Sequence, residues 1–368
     1  MQAVKWGEYR LGDLFEIENT LSFNTDKLVP GNDYDYVTRT SLNQGILRAT
    51  GFVNRENINP SGTWSLGLLQ MDFFYRRKSW YAGQFVRKII PKITIKDSSV
   101  LFFTTLLNKQ KPKLLSVLVR DVDKVFCSTK IQLPTKNGEI DFDFMEAFVA
   151  ELEAERVAEL SAYLAVSGFD NYELSDAELN ALREYPNLEF DDFDILDVFT
   201  VKNTSNLLSS DIVENSGKIP YLCASSENNG VSSYIEYNKD YLEEGNCIFI
   251  GGKTFVVSYQ ENDFFSNDSH NLALYLNDSN SRTKLNQLYI TTCVFKSLSH
   301  KYSWGNSVSK AKIKCDKISL PVKNGSPDFA IMKTFISAIQ KLVIRDVVDY
   351  SNRKINATKS VVSSHSNQ

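Results

Sequence analysis

Lys130-Ile-Gln-Leu-Pro-Thr-Lys-Asn-Gly138 returns 187 positions later as Lys317-Ile-Ser-Leu-Pro-Val-Lys-Asn-Gly325. At the same offset Asp141, Phe142, Met145 and Phe148 meet Asp328, Phe329, Met332 and Phe335. Self-similarity at one fixed offset is what a repeated unit leaves behind, so the chain is a duplication. Upstream the match continues across small insertions: Leu11-Gly-Asp-Leu-Phe15 pairs with Ile195-Leu-Asp-Val-Phe199 and Tyr36 and Gly45 with Tyr221 and Gly230, while Thr104-Thr105 pairs with Thr291-Thr292. Half one covers residues 1–168 and half two residues 188–368.

Each half changes character once. Short apolar and aromatic runs such as Phe73-Phe-Tyr75, Lys92-Ile-Thr-Ile95, Ile248-Phe-Ile250 and Leu272-Ala-Leu-Tyr275 are split by Gly, Asn, Ser and Asp clusters. That pattern predicts many short strands with long loops. After each Lys-Asn-Gly turn the period becomes helical, with Asp141 or Asp143 as the first cap and apolar residues at Met145, Phe148, Val149, Leu152, Val157, Leu160 and Leu164. The copy starts at Asp328 and runs through Met332, Phe335, Ile336, Ile339, Leu342, Val343 and Val347. An apolar stripe needs a partner, so the economical arrangement packs the two helices as an antiparallel pair about a pseudo-twofold axis; the alternative packs each on its own β-rich domain.

The expected fold is therefore α+β: two duplicated, mainly β domains joined by two amphipathic helices. The boundaries read as domain one at 1–140, helix and linker at 141–187, domain two at 188–327, second helix at 328–352 and a Ser-, Asn- and Lys-rich tail at 353–368. A capping box, Ser175 with Glu178, starts a short linker helix.

At 368 residues, 42% hydrophobic and 23% charged, the composition is that of a soluble globular chain of about two domains. No apolar run approaches the roughly 20 residues of a membrane helix, and no apolar signal segment opens the chain, which predicts a cytoplasmic protein. Cys127, Cys223, Cys247, Cys293 and Cys315 form no C-x-x-C pair and read as buried thiols.

The net charge of −4 hides an asymmetry. Residues 1–140 carry 20 Lys and Arg against 13 acids, residues 141–192 carry 2 against 15, and residues 193–368 carry 19 against 17. A basic block beside an acidic connector suggests one face that meets a polyanion.

Catalytic signatures are missing. The sequence holds neither the Asn-Pro-Pro-Tyr nor the Asp-Pro-Pro-Tyr motif of amino-methyltransferases, no phosphate-binding G-x-x-x-x-G-K-[ST] and no H-E-x-x-H. His270, His300 and His365 fall in no triad or metal spacing. Gly251-Gly252-Lys253 has no helix signal behind it and reads as a tight turn. No catalytic residue and no metal ligand is assigned.

What is present is cation mixed with aromatic and amide. Phe74-Tyr-Arg-Arg-Lys-Ser-Trp-Tyr81 leads into Arg87-Lys88, and Lys109, Lys111 and Lys113 form a second cluster. Such side chains neutralise phosphates and read base edges. Thr38-Arg-Thr-Ser-Leu-Asn-Gln-Gly45 aligns with Cys223-Ala-Ser-Ser-Glu-Asn-Asn-Gly230, a matched frame around unmatched residues. Two domains reading different sequences on one architecture require that arrangement. A duplicated β-rich module for carbohydrate or protein is the rival, with the aromatic loops as stacking platforms.

The order β domain, helix, β domain, helix, together with Leu-Gly-Asp-Leu-Phe, Tyr302-Ser-Trp-Gly-Asn306 and the Lys-Ile-x-Leu-Pro-x-Lys-Asn-Gly repeat, resembles the specificity subunit of type I restriction-modification systems and its type IIB relatives. The resemblance implies two target-recognition domains, each reading half of a split site in double-stranded DNA. It implies helices that space the domains and dock adenine-N6 methyltransferase subunits. The helices are shorter than the spacers of many type I members, which favours a compact type IIB-like arrangement with methyltransferase and nuclease in one partner chain. S-adenosylmethionine and Mg2+ are then expected on partner subunits, with no cofactor in this chain.

On that reading the base contacts fall to Arg39, Asn43, Gln44, Arg76 and Arg77 in half one, and to Ser225, Ser226, Asn228, Asn229 and Lys253 in half two. Lys78, Arg87, Lys88, Lys111 and Lys113 are phosphate candidates, and Tyr302 and Asn306 complete the DNA-binding set. A first helix of about 24 residues at about 1.5 Å per residue spans roughly one turn of B-DNA, which places the half-sites about 10 base pairs apart.

Overall fold

The structure, a computed structural model, describes residues 4–117 and 119–365, the last eight of them by backbone alone. Among these no helix is long and apolar enough to cross a membrane. The chain divides into two compact units, one built from residues up to 160 and from 354 onward, the other from residues 161–353.

The Lys-Asn-Gly motif owes its repetition to a turn. Asn137 and Gly138 have φ of 55° and 86°, and Asn324 and Gly325 have 53° and 75°. Two successive left-handed residues make the tight hairpin whose twist suits paired strands, and Asn-Gly is the dipeptide that adopts it at least cost. In the first unit this hairpin joins Lys130–Lys136 to Glu139–Ile140, and Lys5–Arg10 lies antiparallel on the other side of Lys130–Lys136. In the second unit Phe190–Asp194, Lys317–Lys323 and Ser326–Pro327 repeat the arrangement.

Two further sheets recur in each unit. The first unit's four-stranded antiparallel sheet runs in the order Phe15–Asn19, Val86–Pro91, Thr63–Gly67, Asp72–Arg76; its counterpart runs Phe199–Asn203, Leu272–Leu276, Cys247–Ile250, Val257–Gln260. A small mixed sheet sets Tyr34–Val37 between antiparallel Ile46–Thr50 and parallel Trp80–Ala82, matched by Ile219–Leu222 between Val231–Ile235 and Phe265–Ser266.

Each unit has its own core. In the first, Phe15 packs edge-on to Trp64 at 5.7 Å and to Phe103 at 5.9 Å, with Leu11, Leu14, Phe73, Phe126 and Met145 fully enclosed. In the second, Ile195, Phe199, Ile248, Leu274, Ile290 and Met332 take those places.

The units hold more helix than the run of short strands suggests. Val100–Lys109 and Lys284–Leu298 carry the matched threonine pairs, and Val100, Phe103 and Leu107 form their buried stripe in the first unit. Lys92-Ile-Thr-Ile95 forms no strand: Ile93 and Ile95 lie against the core edge while the Lys92 amide donates to the Leu14 carbonyl.

Both long helices start inside a β-rich core. Asp141 caps the first, Phe142–Val166, by accepting from the Phe144 amide at 2.9 Å, and Asp328 caps the last, Phe329–His365, by accepting from Ile331 at 3.0 Å. Met145 and Met332, both fully buried, anchor them. Within the first unit Lys354 meets Glu153 at 3.1 Å, and within the second Lys341 reaches the Glu173 carbonyl at 2.8 Å.

The expected tail is instead helix. The last helix continues past residue 352 to His365, because the stretch contains no Gly or Pro to end it. Ser351, just before that stretch, is buried. The cysteines also need correcting: Cys247 is buried, but Cys127 and Cys315 are exposed. Burial pushes the Cys247 thiol up to about 12.

The Ser175 capping box does more than start its helix, Asp176–Glu184. Glu178 is only 5% exposed and accepts from Lys341 at 2.8 Å, from Ser337 at 2.6 Å and from the Ser175 amide at 2.8 Å. Burial pushes its carboxyl up, but these hydrogen bonds outweigh burial and hold it at about 2. A depressed carboxylate stabilises the fold above its unfolded value near 4.5, and that contribution is lost as pH falls from there toward 2. Glu178→Gln is therefore expected to cost about 2 kcal/mol at pH 7. Urea unfolding of both proteins at stepped pH checks this: the gap should narrow below pH 4.5, and a pH-independent gap would count against the ionic origin.

Candidate nucleic-acid interface

The aligned loops adopt one unusual conformation twice. Asn43 and Gln44 have φ/ψ of 46°/43° and 54°/32°, and Asn228 and Asn229 have 47°/41° and 52°/31°. Left-handed backbone at a non-glycine residue costs about 1 kcal/mol or more, less for Asn, so two in succession persist only where the surroundings hold them. Closure comes from Thr38 N to the Gly45 carbonyl and from Cys223 N to the Gly230 carbonyl, both 2.8 Å. The Asn43 amide donates to the Ile46 carbonyl at 3.1 Å, and Asn228 to Val231 at 3.0 Å.

Beneath each loop stands a buried donor from the last strand of the four-stranded sheet. In the first unit Arg76, 2% exposed, gives Nη2 to the Gln44 carbonyl at 2.6 Å and Nε to Ser65 Oγ at 2.9 Å. In the second, Gln260, 4% exposed, gives Nε2 to the Asn229 carbonyl at 3.0 Å and to Ser258 Oγ at 2.9 Å. The positions are equivalent, since Arg76 pairs with Thr63 and Gln260 with Cys247 at the same end of the same strand pair. Burial lowers the Arg76 pKa to about 10, with Asp35 partly opposing, so the guanidinium stays charged at neutral pH. Arg76 is thus a support for the loop, which corrects its assignment as a base contact. Gln260 was invisible in the sequence because nothing there marks which strand position faces the loop.

The loops border concavities. A cleft of about 590 Å³ in the first unit is lined by Gln44, Ile46, Phe74, Arg77 and Lys78 among others. In the second unit Asn229 borders two, one of about 940 Å³ shared with Asn228, Lys218 and Lys284, and one of about 450 Å³ shared with Ser225, Ser226 and Thr254.

The remaining candidates sort by what already holds them. Arg39 is exposed and lies 5.3 Å over the Phe85 ring. Arg77 and Lys113 are exposed, and their side chains have no ion-pair or hydrogen-bond partner among the described residues. Lys78 pairs with Asp35 at 2.9 Å, Lys111 with Asp72 at 2.6 Å and Lys253 with Asp268 at 3.0 Å. Arg87 and Lys88 are largely covered, at 19% and 17% side-chain exposure, and pair with Asp123 and Glu18. Both are thus engaged at the surface of the unit by partly exposed carboxylates. Tyr302 is core, buried against Phe255 with its hydroxyl donating to Asp316, while Asn306 is exposed and bonds its own turn.

Gly251-Gly252-Lys253 is the expected turn, and its glycines have a reason. A Cβ on Gly251 would lie 2.6 Å from that of Ala224, and one on Gly252 would lie 2.3 Å from the His270 carbonyl oxygen. The turn thereby seats against the backbone that carries Ser225.

A family model described as the type I restriction modification DNA specificity domain matches residues 3–162 and again residues 187–349, one match on each half. The chain is 22% identical over 347 residues to the type II restriction enzyme BgcI specificity subunit S.BcgI of Heyndrickxia coagulans, covering 93% of this chain and 96% of that protein. The crystal structure of the type I restriction-modification system S subunit from M. genitalium superposes with a TM-score of 0.58 at 13% identity, over 99% of this chain and 96% of that one. That last likeness is one of fold.

Proposed function

Because the chain belongs to the family of type I restriction modification DNA specificity domains, we propose that it is the DNA-reading subunit of a restriction-modification complex and that each unit reads one half of a bipartite target. The observation that carries the reading is the pair of left-handed loops, matched in backbone and in the framing Asn43 and Asn228 but different at most other side chains, each fixed from below by a buried donor. A rigid frame with exchangeable residues suits direct readout, where side chains must meet base edges in register. In this reading Asn43, Gln44, Arg39 and Arg77 face the bases of one half-site, and Ser225, Ser226, Asn228, Asn229 and Lys253 those of the other. Lys78, Lys111 and Lys113 meet phosphates.

Methyl transfer and cleavage fall to partner chains in this proposal: an adenine methyltransferase that holds S-adenosylmethionine, with nuclease and Mg2+ in the same partner or another, all in the cytoplasm. The exposed apolar residues Phe148 and Leu152 in the first unit offer the partner a docking surface, and Val343 and Val347 offer one of their own in the second.

Purified chain titrated with duplex DNA tests the reading. Affinity is expected to fall on the order of 10³-fold between about 50 and 200 mM salt, as several phosphate contacts require, and no methyl group should pass from S-adenosylmethionine to DNA without a partner. Binding that ignores salt would favour the carbohydrate or protein module, and methyl transfer by the chain alone would overturn the division of labour.

A further inference from the structure

Trp304 is 78% exposed, whereas Trp64 and Trp80 are fully buried. It sits at the tip of a tight turn closed by Asn306 N to the Ser303 carbonyl at 2.9 Å and Ser303 N to the Asn306 carbonyl at 3.2 Å. The turn is fixed on all sides. Asn306 donates to the Lys301 carbonyl at 2.7 Å, and Lys312 Nζ donates to Asn306 Oδ1 and to the Ser307 carbonyl, both at 2.8 Å. Tyr302 pins its base against Phe255.

Its place in the unit is as informative as its exposure. Val308 N donates to the Gly252 carbonyl at 3.0 Å, and Thr254 Oγ1 to the Ala224 carbonyl at 3.0 Å, so the Trp304 turn, the residue 251–255 turn and the loop of Ser225 and Ser226 adjoin one another. The flanking sequence is basic: residues 296–317 hold six lysines and one acid, Asp316, which Lys301 and Tyr302 already engage. Lys296 and Lys314 are exposed and have no ion-pair partner among the described residues.

We propose that Trp304 is an aromatic wedge of the second unit, laid against a base of duplex DNA at the half-site that this unit reads while the neighbouring lysines hold the phosphates. This rests on the proposed DNA-reading function. An indole on a stiff turn loses little conformational freedom on contact, every base offers it a π-face, and a wedge of this kind partly unstacks a base step. At the offset of the repeat Trp304 falls on Val117, so the first unit carries no indole at that position. DNA distortion is therefore confined to one half-site.

The test uses the complex of the chain with its methyltransferase and a duplex carrying the motif mapped by methylation-site sequencing. Trp304→Ala is expected to weaken binding about 10-fold, the scale of one base–aromatic stack, with Trp304→Phe keeping most of the affinity. In a Trp6→Phe background, which leaves Trp304 as the solvent-facing indole, DNA should shift and quench the tryptophan emission. 2-Aminopurine should brighten in the second half-site only. Unchanged affinity and emission on a complex that still binds DNA would overturn the wedge. So would a Trp304→Ala chain that binds DNA normally but fails to assemble with the methyltransferase, since that outcome assigns Trp304 to a protein contact. A wild-type complex that does not bind DNA would overturn the DNA-reading function itself, a result distinct from either.

Discussion

Replacing Arg76 with methionine is expected to erase recognition of one half-site while the other is still read. Methionine fills most of the volume but offers no donor, so the Gln44 carbonyl loses the buried guanidinium that holds it and the Ser65 hydroxyl keeps only its contact to the Phe74 carbonyl. A hydrogen bond from a charged donor contributes about 1.5–3 kcal/mol, comparable with the cost of keeping Asn43 and Gln44 in left-handed backbone. The loop then relaxes and its side chains leave register. Gln260→Leu should do the same to the other half-site, by somewhat less, because a neutral amide rather than a charged guanidinium is removed. Arg76→Gln installs the residue type that the second unit uses at the equivalent position and should retain more recognition than the methionine variant. Methylation-site sequencing of cells carrying each variant with its methyltransferase reads both half-sites at once. Equal loss of both half-sites in a chain that remains folded by circular dichroism would show that Arg76 does not act on one loop.

The duplication was legible because it is written in contiguous residues whose role is local. The Asn-Gly hairpin needs two left-handed residues, the Asp-Phe start needs a cap, and both needs are met within a few positions of the motif. What could not be read are roles that depend on the opposite face of a sheet. The strand Asp72–Arg76 is covered on both sides, by core at Phe73 and by the loop at Arg76, so period-two alternation gives no sign that the cation points inward. Arg76 and Arg77 look alike in the row, and only the acceptors at Ser65 and Gln44, 11 and 32 residues away, separate them. Tyr302 and Trp304 pose the same problem. Both are large aromatics two positions apart, and the closure of a turn between Ser303 and Asn306 decides which one faces solvent. The last helix was cut short for the converse reason: polar composition resembles a tail, although a chain without Gly or Pro has no local cause to stop.

Exchanging the first β-rich domain for that of another family member is expected to replace one half of the methylated motif and leave the other unchanged. Each core draws its buried residues from one half, from Leu11 to Met145 in the first and from Ile195 to Met332 in the second, so either can be replaced without opening the other. The join matters. A cut after Ile140 leaves Phe142 and Met145 facing a core they did not evolve with, and Met145 is fully buried. A mismatched buried side chain there costs about 1–3 kcal/mol in strain or more as a cavity. Phe148 also travels with the first unit, against the Phe102 ring at 6.2 Å. The exchange should therefore run through residue 149, so that the first two helical turns move with the domain they pack on and the acidic helix beyond stays native. Each mismatched base pair in such a site costs about 1–3 kcal/mol, so a three- or four-base half-site that changes wholesale shifts preference by a factor on the order of 10³ or more. Methylation-site sequencing of the chimera shows directly whether that happens. If both half-sites change together while the chimera stays folded and active, the units do not read independently, and the identical loop frames of the two units do not serve separate recognition.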